Sequence, residues 1–116
     1  MAFAYGKLIS PTTIAAGAAA LYANAASTTT YIRGIVLHNG NSTAETVILY
    51  NVPDSTESAG TAATANELYY EVMPARSTTT LEFPAPGLVM TDTNDTLQGT
   101  TTTASKVTIN LIGATE

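Results

Sequence analysis

Residues 106–111 read Lys-Val-Thr-Ile-Asn-Leu, and the same two-residue beat returns along the chain. Leu68, Tyr70 and Val72 alternate with Glu67, Tyr69 and Glu71, and Leu81 and Phe83 alternate with Thr80 and Glu82. A two-residue repeat sends successive side chains to opposite faces, as a pleated strand does and a helix does not. Val107, Ile109 and Leu111 then form one apolar face, and Leu68, Tyr70 and Val72 another. The β-branched Thr, Val and Ile that fill these runs suit a pleated surface. Phe3, Tyr5, Lys7 and Ile9 extend the pattern to a further strand near the N-terminus.

Two runs are apolar on both faces. In residues 31–37, Ile35 and Leu37 are expected to face one way and Ile32 and Val36 the other. In residues 47–50, Val47 and Leu49 oppose Ile48 and Tyr50. Such a strand is central in a layered domain or covered by a neighbouring subunit. Asn39-Gly40-Asn41-Ser42 between the two runs predicts a hairpin loop. Residues 53–66 predict a longer polar loop, Pro84-Ala85-Pro86-Gly87 a rigid turn, and Asp92-Thr93-Asn94-Asp95 a further turn. Residues 14–26 are rich in Ala, the best helix former, but Gly17 interrupts them, and a loop leading to a short strand at Leu21-Tyr22 is the preferred reading. The whole predicts an all-β chain: a single-domain β-sandwich or jelly roll of about seven to nine short antiparallel strands. Residues 1–20 are expected to form an arm or edge strand and residues 21–116 the sandwich. At 116 residues the chain suits one domain with a core that needs no cross-links.

The inventory of reactive side chains is short. There is no Cys, which removes disulfides, thiolate metal sites and cysteine nucleophiles together. The single histidine, His38, lies inside a strand pattern with no nucleophile-elbow motif near it, and a surface or interface role is the expectation. Asp92, Asn94 and Asp95 resemble a fragment of a calcium loop. The Gly and Glu that a full loop needs are replaced by Leu97 and Thr103, so a polar turn is expected. Glu67 and Glu71 fall two pleats apart, on one face of a regular strand. With no Trp to stack a sugar, they read as solvated acids. No catalytic residue, cofactor site or metal site is expected.

Four basic residues against nine acidic ones give a net charge of -5, and Lys7, Arg33, Arg76 and Lys106 are scattered. Phosphate binding needs clustered cations, so neither nucleic acid nor an anionic membrane is an expected partner. The apolar stretch after Lys7, closing on Ala23-Asn24-Ala25, imitates an export signal, but Pro11, Thr12, Thr13 and Gly17 break it. Synthesis in the cytoplasm without export is the expectation. No run is long enough to span a bilayer as a helix.

The order of segments carries a resemblance. Leu21-Tyr22, then residues 28–39, then Val47-Ile48-Leu49-Tyr50 resemble the front half of small β-sandwich structural proteins of tailed-phage virions. Leu88, Asp95-Thr96-Leu97 and residues 107–113 resemble their back half. The resemblance implies a structural role in a virion, foremost a capsid decoration (cement) protein. Such a protein would stabilise the head through contacts with the major capsid protein or other virion proteins, as a homo-oligomer, with a trimer favoured, on the outer capsid surface. The alternative it implies is a receptor- or glycan-binding module of a tail or fibre. The partner-binding residues expected for the decoration role are Phe3, Tyr5, Leu8 and Ile9 on the arm, pairing with a neighbour's sheet edge, and Ile48 and Tyr50 on the second apolar face.

Overall fold

The structure, a computed structural model, describes residues 6–116. Phe3 and Tyr5 therefore lie outside the described residues. Among the described residues ten strands follow in order: β1 (Gly6–Lys7), β2 (Thr12–Thr13), β3 (Ala19–Ala23), β4 (Thr30–Asn39), β5 (Glu45–Val52), β6 (Glu67–Met73), β7 (Thr78–Glu82), β8 (Leu88–Met90), β9 (Thr96–Thr101) and β10 (Val107–Thr115). They form two antiparallel sheets. The first runs β1-β10-β4-β7, with β2 also on β10 and β8 also on β4; the second runs β3-β9-β5-β6.

Two edges of the first sheet are single strands broken by proline. β1 and β2 lie along β10 on either side of Ser10-Pro11, and β7 and β8 lie along β4 on either side of residues 83–87. Counting each broken edge once leaves four strand positions per sheet, and the chain changes sheet at every connection except β5 to β6. This is the order of an eight-position jelly roll. The expected β-sandwich is the fold. Ala19–Ala23, the β3 strand, occupies the Ala-rich region, and Leu21 packs on the core from it.

Side chains from both sheets make one core, including Ile35, Leu37, Val47, Leu49, Leu97, Ile109 and Leu111, all fully buried. Val107, Ile109 and Leu111 face inward as the alternation requires. β4 departs from the expected phase. Gly34 pairs with Ile112 and Ile32 with Gly113, so Arg33 is an extra residue in a bulge. One extra residue resets the beat. Ile32, Ile35 and Leu37 all point into the core, where a regular strand would have turned Ile32 away from Ile35. Val36 faces outward, as expected.

The bulge brings backbone close to backbone. A methyl on Gly113 would overlap the Tyr31 carbonyl oxygen, and one on Gly87 would meet the Ile32 carbonyl oxygen at 2.5 Å. Gly87 also holds a φ of 98°, open to glycine. Arg33 fills the break between β7 and β8: its carbonyl accepts from the Phe83 amide at 3.0 Å, and its Nε donates to the Phe83 carbonyl at 3.1 Å.

Asn39-Gly40-Asn41-Ser42 is not a hairpin. β4 and β5 belong to different sheets, and residues 40–44 carry the chain between them. Asn39 explains the crossing. It is fully buried, its Nδ2 donates to the carbonyls of Thr43, Met73 and Pro74 at 3.1–3.2 Å, and its Oδ1 accepts from the Asn41 amide. Asn24 does similar work at the other end, donating to Thr28 and Asp92 carbonyls and accepting from the Thr30 hydroxyl.

Two glycines of the same sheet separate close approach from mere conformational freedom. Gly113→Ala should lower unfolding free energy by about 1–3 kcal/mol, the scale of an overpacked core. Gly34→Ala should stay within about 1 kcal/mol of the parent, because its added carbon would lie no closer than 3.8 Å to any neighbour. Urea unfolding of both variants checks this, and equal losses would contradict it.

Candidate functional site

The most distinctive surface arises from β6. Against β5, Ile48 pairs with Tyr70 and Leu49 with Tyr69, but Tyr50 pairs with Glu67, which leaves Leu68 as the extra residue of a second bulge. The bulge inverts the expected faces of the strand. Tyr69, Glu71 and Met73 turn toward the inside, while Tyr70 and Val72 are 58% and 54% exposed. Glu67 and Glu71 consequently lie on opposite faces, not on one as a regular strand would place them. Leu68 itself packs against the core.

The inward acid is accommodated by hydroxyls. Glu71 Oε1 accepts from the Tyr69 hydroxyl at 2.5 Å and from the Thr79 hydroxyl at 2.8 Å, tying β6 to β7 across the edge of the sandwich. Burial, then the hydrogen bond and charge of Glu71, push the Tyr69 phenol up to about 12. The exposed pair on the other face joins Ile48. Register places Thr100, Ile48 and Tyr70 in one row and Thr46 and Val72 in the next. Among the described residues of the four strands, Glu67 is the one charged side chain on this outer face.

Part of that face is covered by the chain itself. The carbonyl of Gly60, in the loop after β5, accepts from Gln98 Nε2 at 2.9 Å, and Gln98 is only 6% exposed. Asp95 anchors the start of the same loop: its Oδ1 accepts from the Asp54 amide, and its Oδ2 accepts from the amides of Thr91 and Asp92. The calcium-like triplet thus contains a carboxylate committed to backbone donors. Among the described residues, no group of three or more His, Asp or Glu side chains is placed to hold a metal ion. His38 sits exposed on the other sheet, with its Nδ1 2.8 Å from the Thr78 hydroxyl.

The sequence-predicted partner residues are divided by this arrangement. Ile48 is half-buried beside the exposed Tyr70. Tyr50 is also half-buried and pairs with Gln98, toward the covered part of the face. Leu8 and Ile9 pack on the chain's own core, and the Leu8 amide donates to the Leu111 carbonyl at 2.8 Å. Described residues of the arm are therefore an edge of their own sheet. Sequence reasoning missed Tyr70 and Val72 as surface groups, because a perfect alternation gives no sign of a bulge.

It also missed Glu45. This carboxylate is 1% exposed at the opposite end of the sandwich, and it accepts from Asn41 Nδ2 at 2.9 Å and from the Thr103 amide at 2.8 Å. Burial pushes its pKa up, but the bonds from Asn41 and Thr103 and the charge of Lys106 outweigh burial and hold it below the ordinary 4.5.

Comparison with protein-family models, curated proteins and solved structures finds no match to this chain.

Because the folded pKa of Glu45 lies below the unfolded one, its contribution to stability is complete above the unfolded value and disappears as pH falls through the folded value. Glu45→Gln should cost about 1–3 kcal/mol near neutrality, since one buried oxygen becomes a donor facing a donor. The deficit should shrink as pH falls through the folded value. Denaturant unfolding followed from neutrality into acid checks this, and a deficit independent of pH would contradict it.

Proposed function

We propose that this chain is a non-enzymatic structural subunit of a tailed-phage virion, a capsid decoration protein that binds the head through protein–protein contacts. The observation that carries the reading is the apolar patch of exposed Tyr70 and Val72 beside half-buried Ile48, in two adjacent rows of the outer face of the second sheet. Tyr70 combines an apolar ring with a polar tip, the character that interfaces favour. Removing such a patch from water supplies association energy in proportion to the area covered.

Three further features support it. Charged residues make up only 11% of the chain, which suits a surface meant to be covered by other subunits. The jelly-roll order is an architecture that viral capsid domains use, an analogy at the level of fold. The resemblance of residues 21–50 and 88–113 to small virion proteins agrees with both. The expected partners are the major capsid protein or other virion proteins, together with further copies of this chain, and the expected location is the outer surface of the head. The longest loop, residues 53–66, contains no aromatic side chain to stack on a sugar, so no feature of it favours a glycan-binding module.

Electron microscopy of the virion that carries the chain tests the location. Copies distributed over the shell are expected, and copies confined to the tail would overturn the decoration reading. Replacing both Tyr70 and Val72 by Ser should leave the isolated fold within about 0.5 kcal/mol of the parent, as surface changes do. The same change should lower the amount of chain in purified particles by about tenfold or more, measured by mass spectrometry. Undiminished incorporation would contradict the assignment of this face.

A further inference from the structure

Asn39 and Gly40 carry a reaction that the sequence permits and the fold withholds. Of the chain's asparagines, Asn39 alone precedes a glycine. In a flexible chain this pair is the asparagine sequence most prone to lose its amide, because glycine leaves its own nitrogen unhindered and its backbone free. The reaction balances with water alone. The Gly40 nitrogen gives up its proton and bonds to Cγ of Asn39. The Cγ–Nδ2 bond breaks, and Nδ2 departs as ammonia, taking up one proton. Water then opens the five-membered imide at either carbonyl and leaves aspartate or isoaspartate at position 39.

The folded chain blocks each of these steps. The Gly40 amide donates to the Lys106 carbonyl at 2.8 Å, so the attacking nitrogen is engaged elsewhere. The Asn39 amide donates to the Ser77 carbonyl at 2.9 Å, and Asn39 pairs with Val107, which pins the residue from both sides. The carboxamide is held at both of its polar atoms. Nδ2 shares its hydrogens among the carbonyls of Thr43, Met73 and Pro74, and Oδ1 accepts from the Asn41 amide. Turning Cγ toward the Gly40 nitrogen would break those bonds together. Asn39 has no exposed surface, so water does not reach the site.

The product does not fit the place it came from. A carboxylate at position 39 would set an acceptor against three carbonyl acceptors and bury a charge. Isoaspartate would add a backbone atom to β4 at its pair with Val107 and put the crossing to β5 out of register. The backbone does not force glycine at position 40. Its φ is not in the left-handed region, and an added carbon would stand 3.3 Å from the Lys106 carbonyl oxygen, tight but short of overlap.

We propose that Asn39 and Gly40 form a self-modification site gated by conformation: silent while β4 crosses to β5, reactive once that crossing opens, with a product that does not return to the fold. Opening at this end of the sandwich then has a one-way outcome, and chains that remain open are withdrawn from the folded pool. The inference does not depend on what covers the outer face of the second sheet.

The full chain, held in mildly alkaline buffer with and without guanidinium chloride, supplies the test. Conversion at position 39 is located by fragmentation mass spectrometry. It is expected to be at least about a hundredfold slower in the folded chain, where the population of the open form sets the rate. After dilution from guanidinium, converted chains should be missing from the folded fraction on size-exclusion chromatography. Gly40→Ala should fold, slow conversion in guanidinium by about tenfold or more through crowding at the nitrogen, and keep its refolding yield after the same incubation. Equal conversion in folded and unfolded chains would overturn the gating. Converted chains recovered in the folded fraction with the parent's stability would overturn the one-way outcome, as would an Asn39→Asp variant as stable as the parent at neutral pH. A loss of refolding yield in Gly40→Ala as large as the parent's would overturn it too.

Discussion

One extra residue in a strand governs this structure twice. A strand that keeps a strict two-residue beat must divide its apolar residues between two faces, and a bulge is the local means of changing face without leaving the sheet. Arg33 does this in β4, bringing Ile32 to the same core as Ile35 and Leu37. The bulge is held by backbone contact: Gly113 on β10 and Gly87, in the turn just before β8, approach the Tyr31 and Ile32 carbonyls where any side chain would collide. Leu68 does the reverse in β6. It sends Tyr70 and Val72 outward and draws Tyr69 and Glu71 in.

The surface follows from those two phase changes. β6 is an edge strand, and edges invite uncontrolled pairing unless something blunts them. Here the bulge at Leu68 and the inward carboxylate of Glu71, bonded to Tyr69 and Thr79, disfavour addition of another strand to that edge. What the blunted edge leaves open is the face of the sheet, where Ile48, Tyr70 and Val72 stand together.

Much of the fold is legible in the sequence where the beat is unbroken. Val107, Ile109 and Leu111 face the core as their spacing requires, and the turn residues mark nearly every connection. What could not be read depends on partners distant in the chain. Asn39-Gly40 looks like a hairpin turn until the buried Asn39 amide is seen bonded to Met73 and Pro74, which redirects the chain into the other sheet. Glu45 and Asn24 are polar letters in loop-flanking positions, and their burial follows from partners in remote loops: the Thr103 amide donates to Glu45, and the Asp92 carbonyl accepts from Asn24. The candidate site was legible only in part. Ile48 was recognisable because β5 is apolar on both faces, whereas Tyr70 and Val72 were hidden by an alternation that looked sufficient for a core.

The central claim is the orientation of β6 and the covering of its outer face in an assembly. Nitration of tyrosine, read by mass spectrometry, tests both on the free chain and on the chain within its particle. Tyr70 should react in the free chain and be protected in the particle. Tyr69 should resist in both, because its phenol is half-buried, held by Glu71 and ionises only near 12. Equal reaction of Tyr70 in the two states, or ready reaction of Tyr69 in the free chain, would contradict the account.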